Sequence, residues 1–221
     1  MTGTLYCVSV GAGAPGWLTL QAVQVLGKCQ TIAAPRVHGT MTALGIAQGA
    51  VDLSGKALLP LELPMGHARV AYETAADALC RALQKGDTAL LCLGDASLYA
   101  SAAVLCDKVR ARGFAVEICP GVPSFCAMAA LRGEPLAMGD TPLQILPYGC
   151  EDFAARLQLP GAKIVMKCGS HLTALCELLE TLGLLDKAYA AQSIGMPDGC
   201  ILTDLKAVGD SGYFTTVYIA E

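Results

Sequence analysis

Gly94-Asp95-Ala96-Ser97-Leu98-Tyr99 is where residue types that can do chemistry crowd most closely in this chain of 221 residues. The stretch interrupts an apolar run, Leu90 to Leu93, whose continuity suits a strand buried on both faces. Gly94 lets a ligand approach the backbone, Asp95 offers a carboxylate to hydroxyls or an ammonium, and Ser97 can cap a following helix. The same residues also suit an ordinary strand-to-helix turn with Asp95 as the cap, and taken alone they leave both readings open. In either case the spacing predicts a helix from Leu98 to Arg112 that carries Tyr99 near its start.

A second candidate, Gly11-Ala12-Gly13-Ala14-Pro15-Gly16, stands between an alternating strand and a helical run and matches G-x-G-x-x-G. A dinucleotide site also needs an acidic residue about 20 positions further on, at the end of the second strand, to hold the ribose. No Asp or Glu precedes Asp52, so these glycines read as a structural tight turn. The three histidines form no catalytic dyad. Eleven cysteines (7, 29, 80, 92, 106, 119, 126, 150, 168, 176 and 200) show no C-x-x-C and no Cys-His cluster. Most sit in apolar runs, as reduced buried thiols do, so neither a disulfide framework nor a protein-bound metal is expected.

Alternating strands and helices must position these loops. Strands are predicted at Leu5 to Val10, Thr31 to Ala34 (ended by Pro35), Ala57 to Leu63, Ala89 to Leu93 and Ala115 to Cys119. The intervening helices begin at Trp17, Thr40, Ala68 and Leu98, which makes an α/β lobe with a mostly parallel sheet covered on both faces. Beyond Pro120 the texture becomes mixed. Helices are expected over SFCAMAALR and HLTALCELLETLGLL, and strands over LQILPY, AKIVMKC, Tyr189 to Gln192 and Tyr213 to Ile219. Two lobes, residues 1–119 and 120–221, are the expected domains.

Composition narrows the function classes. Hydrophobic residues make up 54% and mean hydropathy is +0.50, enough for a sizeable core. No window supplies the roughly 18 uninterrupted apolar residues of a membrane span, and the N-terminus lacks the basic region of a signal peptide, so a cytoplasmic location away from membranes is expected. Net charge is −4, while the acid-free first 51 residues carry Lys28 and Arg36. That balance suits a small anionic ligand better than a nucleic acid, for which there is no basic stripe with interleaved aromatics.

Three segments, taken in order, resemble the tetrapyrrole (corrin/porphyrin) methylases. Ser9 to Ala22 resembles that family's opening GxGPGDPELLTLKA, Leu93 to Tyr99 its LGDPSLY, and Pro120 to Phe125 its PGVSSF. The likeness continues through Glu134-Pro135-Leu136-Ala137-Met138-Gly139-Asp140 and essentially to the chain end. Within the family it points to the branch that methylates carbon 20 of precorrin-2 or its cobalt complex, on LYCVSVGAG, Leu61 to Met65, PLAMGD, Ile164 to Lys167 and Gly195-Met196-Pro197-Asp198. Another tetrapyrrole methylase, acting at carbon 11 or on uroporphyrinogen III, is the alternative, followed by a non-catalytic relative that binds cofactor or tetrapyrrole. The chain departs from the pattern at Ser9 (Gly in the family), Ala12 and Ala96 (both Pro) and Ala14 (Asp), so no catalytic role for that Asp carries over.

The resemblance implies a two-lobed fold, a homodimer and S-adenosylmethionine as methyl donor, bound between the lobes. It places cofactor contacts at Leu93, Gly94, Asp95, Leu98, Tyr99, Ser124, Phe125, Met166, Gly195 and Met196, largely through backbone groups. Methyl transfer from a sulfonium to an electron-rich meso carbon is an in-line displacement, in which the protein mainly positions two reactants. No catalytic base is assigned. The carboxylates of a tetrapyrrole substrate call for charge-assisted partners, and Arg36 and Lys167 lead the candidates, with Arg69 and Arg132 behind them. His38, His67 and His171 are the possible ligands of a cobalt carried by the substrate.

Overall fold

The computed structural model describes residues 3–37, 39–63, 69–206, 208–209 and 212–221, which form two compact units, Met1–Pro123 and Ser124–Glu221. His38 and His67 lie outside the described residues, as does the predicted helix start at Ala68.

The first unit runs β1 (Leu5–Ser9), α1 (Leu20–Lys28), β2 (Thr31–Arg36), α2 (Thr42–Gln48), β3 (Ala57–Glu62), α3 (Arg69–Leu83), β4 (Thr88–Cys92), α4 (Ser101–Ala111) and β5 (Val116–Cys119). Its strands form one parallel sheet in the order β3-β2-β4-β1-β5. β4 shows why the apolar run had no alternation: every residue of it is buried. Leu90 and Cys92 pack with α3 and α4 on one face, Ala89 and Leu91 with α1 and α2 on the other. A strand covered on both sides has no solvent face to mark with polar residues. Each fully buried Leu contributes about 1.5–3 kcal/mol.

Helix faces follow the 3.6-residue period. In α3 the buried Tyr72, Ala75, Ala76, Leu79 and Leu83 form one stripe against α4 and the sheet. The outer rims of α3 and α4 are tied by Glu73, which accepts from Lys108 and, at 2.7 Å, from Arg112, and by Asp77 to Arg112 at 3.0 Å. These cations, Lys108 first, hold the Glu73 carboxyl down at about 2.

Three local expectations need correction. The first helix starts at Leu20, not Trp17, because the Thr19 hydroxyl accepts from Ala22 N–H at 3.1 Å and caps it. β2 does not end at Pro35 but runs to Arg36. Pairing with β4 stops at Ala33↔Leu90, so no ladder bond on that side needs the N–H that proline lacks. α4 starts at Ser101, not Leu98; Asp95 to Leu98 form a turn, followed by Tyr99 in the left-handed region at φ +51°.

The second unit contains α5 (Ser124–Arg132), β6 (Leu143–Pro147), α6 (Phe153–Leu157), β7 (Ala162–Met166), α7 (Leu172–Thr181), β8 (Ala188–Gln192), β9 (Cys200–Leu202) and β10 (Thr215–Ile219). Its sheet order is β6-β7-β10-β8-β9, parallel only at β6/β7. α6 and β9, of five and three residues, are too short for periodicity to announce them. The fold is thus the predicted α/β class, a parallel sheet with helices on both faces followed by a mixed sheet. All eleven cysteines are free, and seven of them are buried.

Candidate active site at the carboxyl edge of the first sheet

β1 and β4 are neighbours, yet the chain leaves β1 for α1 on one face and β4 for α4 on the other. Where adjacent parallel strands send their connections to opposite faces, the crevice beyond their carboxyl ends is the usual place for a ligand. The Gly11 loop, after β1, and the Gly94 loop, after β4, stand there. They are joined by reciprocal backbone bonds: Gly94 N–H donates to Gly11 C=O at 2.8 Å, and Gly11 N–H to Gly94 C=O at 3.2 Å. Gly94 has φ +73°, and a Cβ built on it meets nothing within 4 Å, so this backbone borders open space.

A third loop, after β5, closes the cradle. Gly121 N–H donates to Asp95 Oδ2 at 2.7 Å, and Thr19 Oγ donates to Pro120 C=O at 3.4 Å. Gly121 is dictated by space: a Cβ there would fall 2.5 Å from Ser9 Cβ and 2.6 Å from the Gly94 carbonyl oxygen.

Asp95 is occupied within the loop. Its Oδ1 accepts from Ser97 N–H at 2.8 Å and from the Ser97 hydroxyl, while Oδ2 holds Gly121. Burial raises the cost of its charge, but these hydrogen bonds outweigh it and hold the carboxyl below the ordinary Asp range. Asp95 therefore caps no helix; it shapes the backbone. Two of the departures noted in the sequence meet beside it: buried Ser9 Oγ accepts from Ala96 N–H at 3.0 Å.

Leu93, Gly94, Asp95, Leu98 and Tyr99 are thus together at this edge, Leu93 half-buried and Tyr99 exposed. Arg36 ends β2 at the same edge and lies in register with Glu62 at the end of β3. The two form an ion pair at 2.8 Å, with side chains 35% and 69% exposed.

In the second unit, Ser124 begins α5 and its hydroxyl shares a hydrogen bond with Thr216 at 2.9 Å. Phe125 beside it is buried, which leaves its backbone rather than its ring to face a ligand. Met166 ends β7, where its carbonyl accepts from Tyr148 N–H at 2.8 Å, and the exposed Lys167 follows at φ +60°. Gly195, at φ +79°, and Met196 lie in the turn after β8, closed by Met196 N–H to Ser193 C=O at 2.9 Å.

Other candidates have structural occupations. Arg132 is held by Glu134 through two bonds, at 2.8 and 3.0 Å, and lies over the Tyr189 ring at 4.1 Å. His171 stacks on Tyr148, ring centroids 5.0 Å apart. Arg69 opens α3. Among the described residues no group of three or more His, Cys, Asp or Glu is arranged to hold a metal, and no helix is long and apolar enough to cross a membrane. Gly11 to Gly16 forms a loop and a 3-10 turn, Pro15–Trp17, with α1 starting only at Leu20. A dinucleotide fingerprint would deliver its glycines directly to a helix N-terminus, so this motif does not have that geometry.

Residues 4–208 match the family of Tetrapyrrole (Corrin/Porphyrin) Methylases. The chain belongs to that family. Among this methylase's curated relatives is the Cobalt-precorrin-2 C(20)-methyltransferase of Salmonella typhimurium, 28% identical over 99% of this chain and 97% of its own. A second is the Precorrin-2 C(20)-methyltransferase of a Sinorhizobium species, 30% identical over 98% and 95%. The methylase also shares its fold with a uroporphyrin-III C-methyl transferase from Thermus thermophilus, solved in complex with S-adenosyl homocysteine. That match has a TM-score of 0.70 at 17% identity and covers 99% of this chain and 98% of the other.

Sequence reasoning located the Gly94 loop but missed Ser9 and Gly121 as its fasteners and Thr19 as the partner of the neighbouring Pro120 loop. Their partners lie 87, 26 and 101 residues away, and a Ser at a strand end carries no local sign of such a role.

Proposed function

We propose that this methylase transfers a methyl group from S-adenosylmethionine to carbon 20 of precorrin-2 or its cobalt complex, a step of cobalamin biosynthesis. The observation that carries the substrate assignment is that two relatives aligned along nearly the whole chain bear the same carbon-20 name. The crevice fits the donor by its construction. It presents the Gly94 backbone beside open space, with Leu93, Leu98 and Tyr99 assigned as the neighbouring donor contacts, while the Asp95 carboxylate is spent on holding that loop in shape.

S-adenosylmethionine, when bound, supplies a methyl on a positively charged sulfur. The protein's task is then to hold the acceptor carbon in line with it, since orientation alone accounts for much of such a rate. Arg36 is assigned to a substrate carboxylate. Its bond to Glu62 is exposed and therefore weak, so an incoming carboxylate competes with Glu62 for the same guanidinium. Lys167 is assigned the same role in the second unit. Ser124, Phe125, Met166, Gly195 and Met196 complete the proposed donor contacts, Phe125 through its backbone. The acceptor gives up its meso proton after the new carbon–carbon bond forms, and no side chain is assigned to collect it. A homodimer in the cytoplasm belongs to the same proposal.

Purified protein incubated with labelled S-adenosylmethionine and either precorrin-2 or its cobalt complex tests the assignment. Label at carbon 20 in at least one substrate is expected; no transfer to either overturns it.

A further inference from the structure

We infer that Ser9 and Ala96 act as one positioning pair that sets the donor affinity of the Gly94 loop, an inference that rests on the donor site proposed above. Ala96 is the second residue of a β-turn closed by Leu98 N–H to Asp95 C=O at 3.2 Å. At that position the N–H is not used by the turn itself. Ala96 is 1% exposed, so water does not satisfy the N–H either. Its acceptor is Ser9 Oγ, reached across 87 residues of sequence from the fully buried end of β1. Without that hydroxyl a buried donor is orphaned at the centre of the loop.

Ser9 is also wedged against the third loop, since Gly121 approaches it so closely that a Cβ there would stand 2.5 Å from Ser9 Cβ. One small side chain thereby fixes the β4 loop through a hydrogen bond and the β5 loop through contact. Together with the Gly11–Gly94 bonds, it determines where the carbonyls and N–H groups of residues 94 to 98 point.

The geometry makes a reciprocal demand on the two positions. Ser9→Gly removes the acceptor and leaves the Ala96 N–H unpaired. Ala96→Pro removes the donor and directs a ring carbon at Ser9 Oγ, which lies only 3.0 Å from the Ala96 nitrogen. Each single change creates a fault, and the double change Ser9→Gly/Ala96→Pro removes both. Backbone conformation does not oppose proline here, because the second position of a turn favours it and Ala96 is not at positive φ.

The test uses the parent, Ser9→Gly, Ala96→Pro and the double variant, with Ser9→Ala added because it keeps the Cβ and loses only the bond. Calorimetry with S-adenosylhomocysteine gives the affinity, and thermal unfolding of the ligand-free proteins gives stability. Ser9→Ala and Ser9→Gly are expected to bind about tenfold more weakly, equivalent to about 1.4 kcal/mol, near the low end for an unpaired buried N–H. Ala96→Pro is expected to bind more weakly still, and the double variant to return within about threefold of the parent, a coupling that independent faults do not give. In turnover assays the KM for S-adenosylmethionine should rise in the single variants while kcat at saturation changes less than about threefold, since saturating donor restores the loop. A merely structural role would lower the unfolding temperature and the active fraction and leave the dissociation constant unmoved. Single variants that bind like the parent, or losses that add in the double variant, overturn the inference while the donor site stands. A parent protein that binds no S-adenosylhomocysteine overturns both.

Discussion

Replacing Asp95 probes the proposed division of labour in the Gly94 loop, in which the side chain shapes the loop and the backbone is assigned to the donor. The carboxylate accepts three hydrogen bonds, two on Oδ1 from Ser97 and one on Oδ2 from Gly121 at 2.7 Å. Ser97 is exposed and water replaces Asp95 there at little cost, whereas the Gly121 bond is partly buried and joins loops 26 residues apart. A bond to a charged group contributes about 1.5–3 kcal/mol, so after allowance for partial exposure Asp95→Ala should cost about 2 kcal/mol. Asp95→Asn retains one acceptor oxygen, turns an amide N–H₂ toward one of the donors, and should cost about 1 kcal/mol. If the loop must be ordered to bind, affinity for S-adenosylhomocysteine falls with the ordered fraction, by up to roughly thirtyfold for Ala and up to roughly fivefold for Asn. Calorimetry and urea titration measure the two effects.

The pH dependence carries a definite sign. Asp95 has a folded-state carboxyl below its ordinary range, so its stabilisation is fully present above the unfolded value of about 3.9 and is lost as pH falls through the lower folded value. Parent affinity should therefore lose an Asp95-dependent component below about pH 4 that Asp95→Asn lacks. An Asp95→Ala protein with parental affinity and an unchanged urea midpoint would refute the account of the loop.

Glycine substitutions should separate ligand space from packing. Gly94→Ala and Gly113→Ala both place Ala at positive φ with no clash, at about 1 kcal/mol of strain each, but only Gly94→Ala should weaken S-adenosylhomocysteine binding, by tenfold or more; equal affinities in calorimetry would contradict this. Gly121→Ala drives a Cβ into Ser9 and the Gly94 carbonyl and should lower stability by about 1–3 kcal/mol together with binding, read by urea titration and calorimetry. Arg36→Ala should raise the KM for the tetrapyrrole about fivefold and leave the unfolding temperature nearly unchanged, because its pair with Glu62 is exposed. Glu62→Gln should lower that KM, and steady-state kinetics on both variants check the competition. Glu73 stabilises the α3–α4 contact only while ionised, so that contribution should vanish as pH falls from the ordinary Glu range through about 2, and the loss should be absent from Glu73→Gln in acid titrations of stability.

The first sheet was legible because its strands are local events: the apolar block at Leu90 to Leu93 and the glycines after each strand state their role in five or six residues. What escaped was set by distant partners. The predicted helix start at Leu98 failed because Asp95 and Tyr99 build a turn held by Gly121 and Ser9, so a segment with helical spacing stays outside the helix. Pro35 reads as the end of a strand, yet proline's missing N–H costs nothing here, because the register of β2 against β4 ends before that N–H would be needed. Arg36 stands out in the sequence for its place in an acid-free region, and its partner Glu62, 26 residues on, is brought to it by the register of β2 against β3.

The most direct measurement is the position of the transferred methyl. Methyl-¹³C S-adenosylmethionine, the purified protein and precorrin-2, with and without cobalt, yield a product whose new carbon can be located by NMR. Label at carbon 20, bonded to a meso carbon that has lost its proton, is the predicted result. Label at carbon 11 or another ring position, or unmethylated substrate in both reactions, would contradict it.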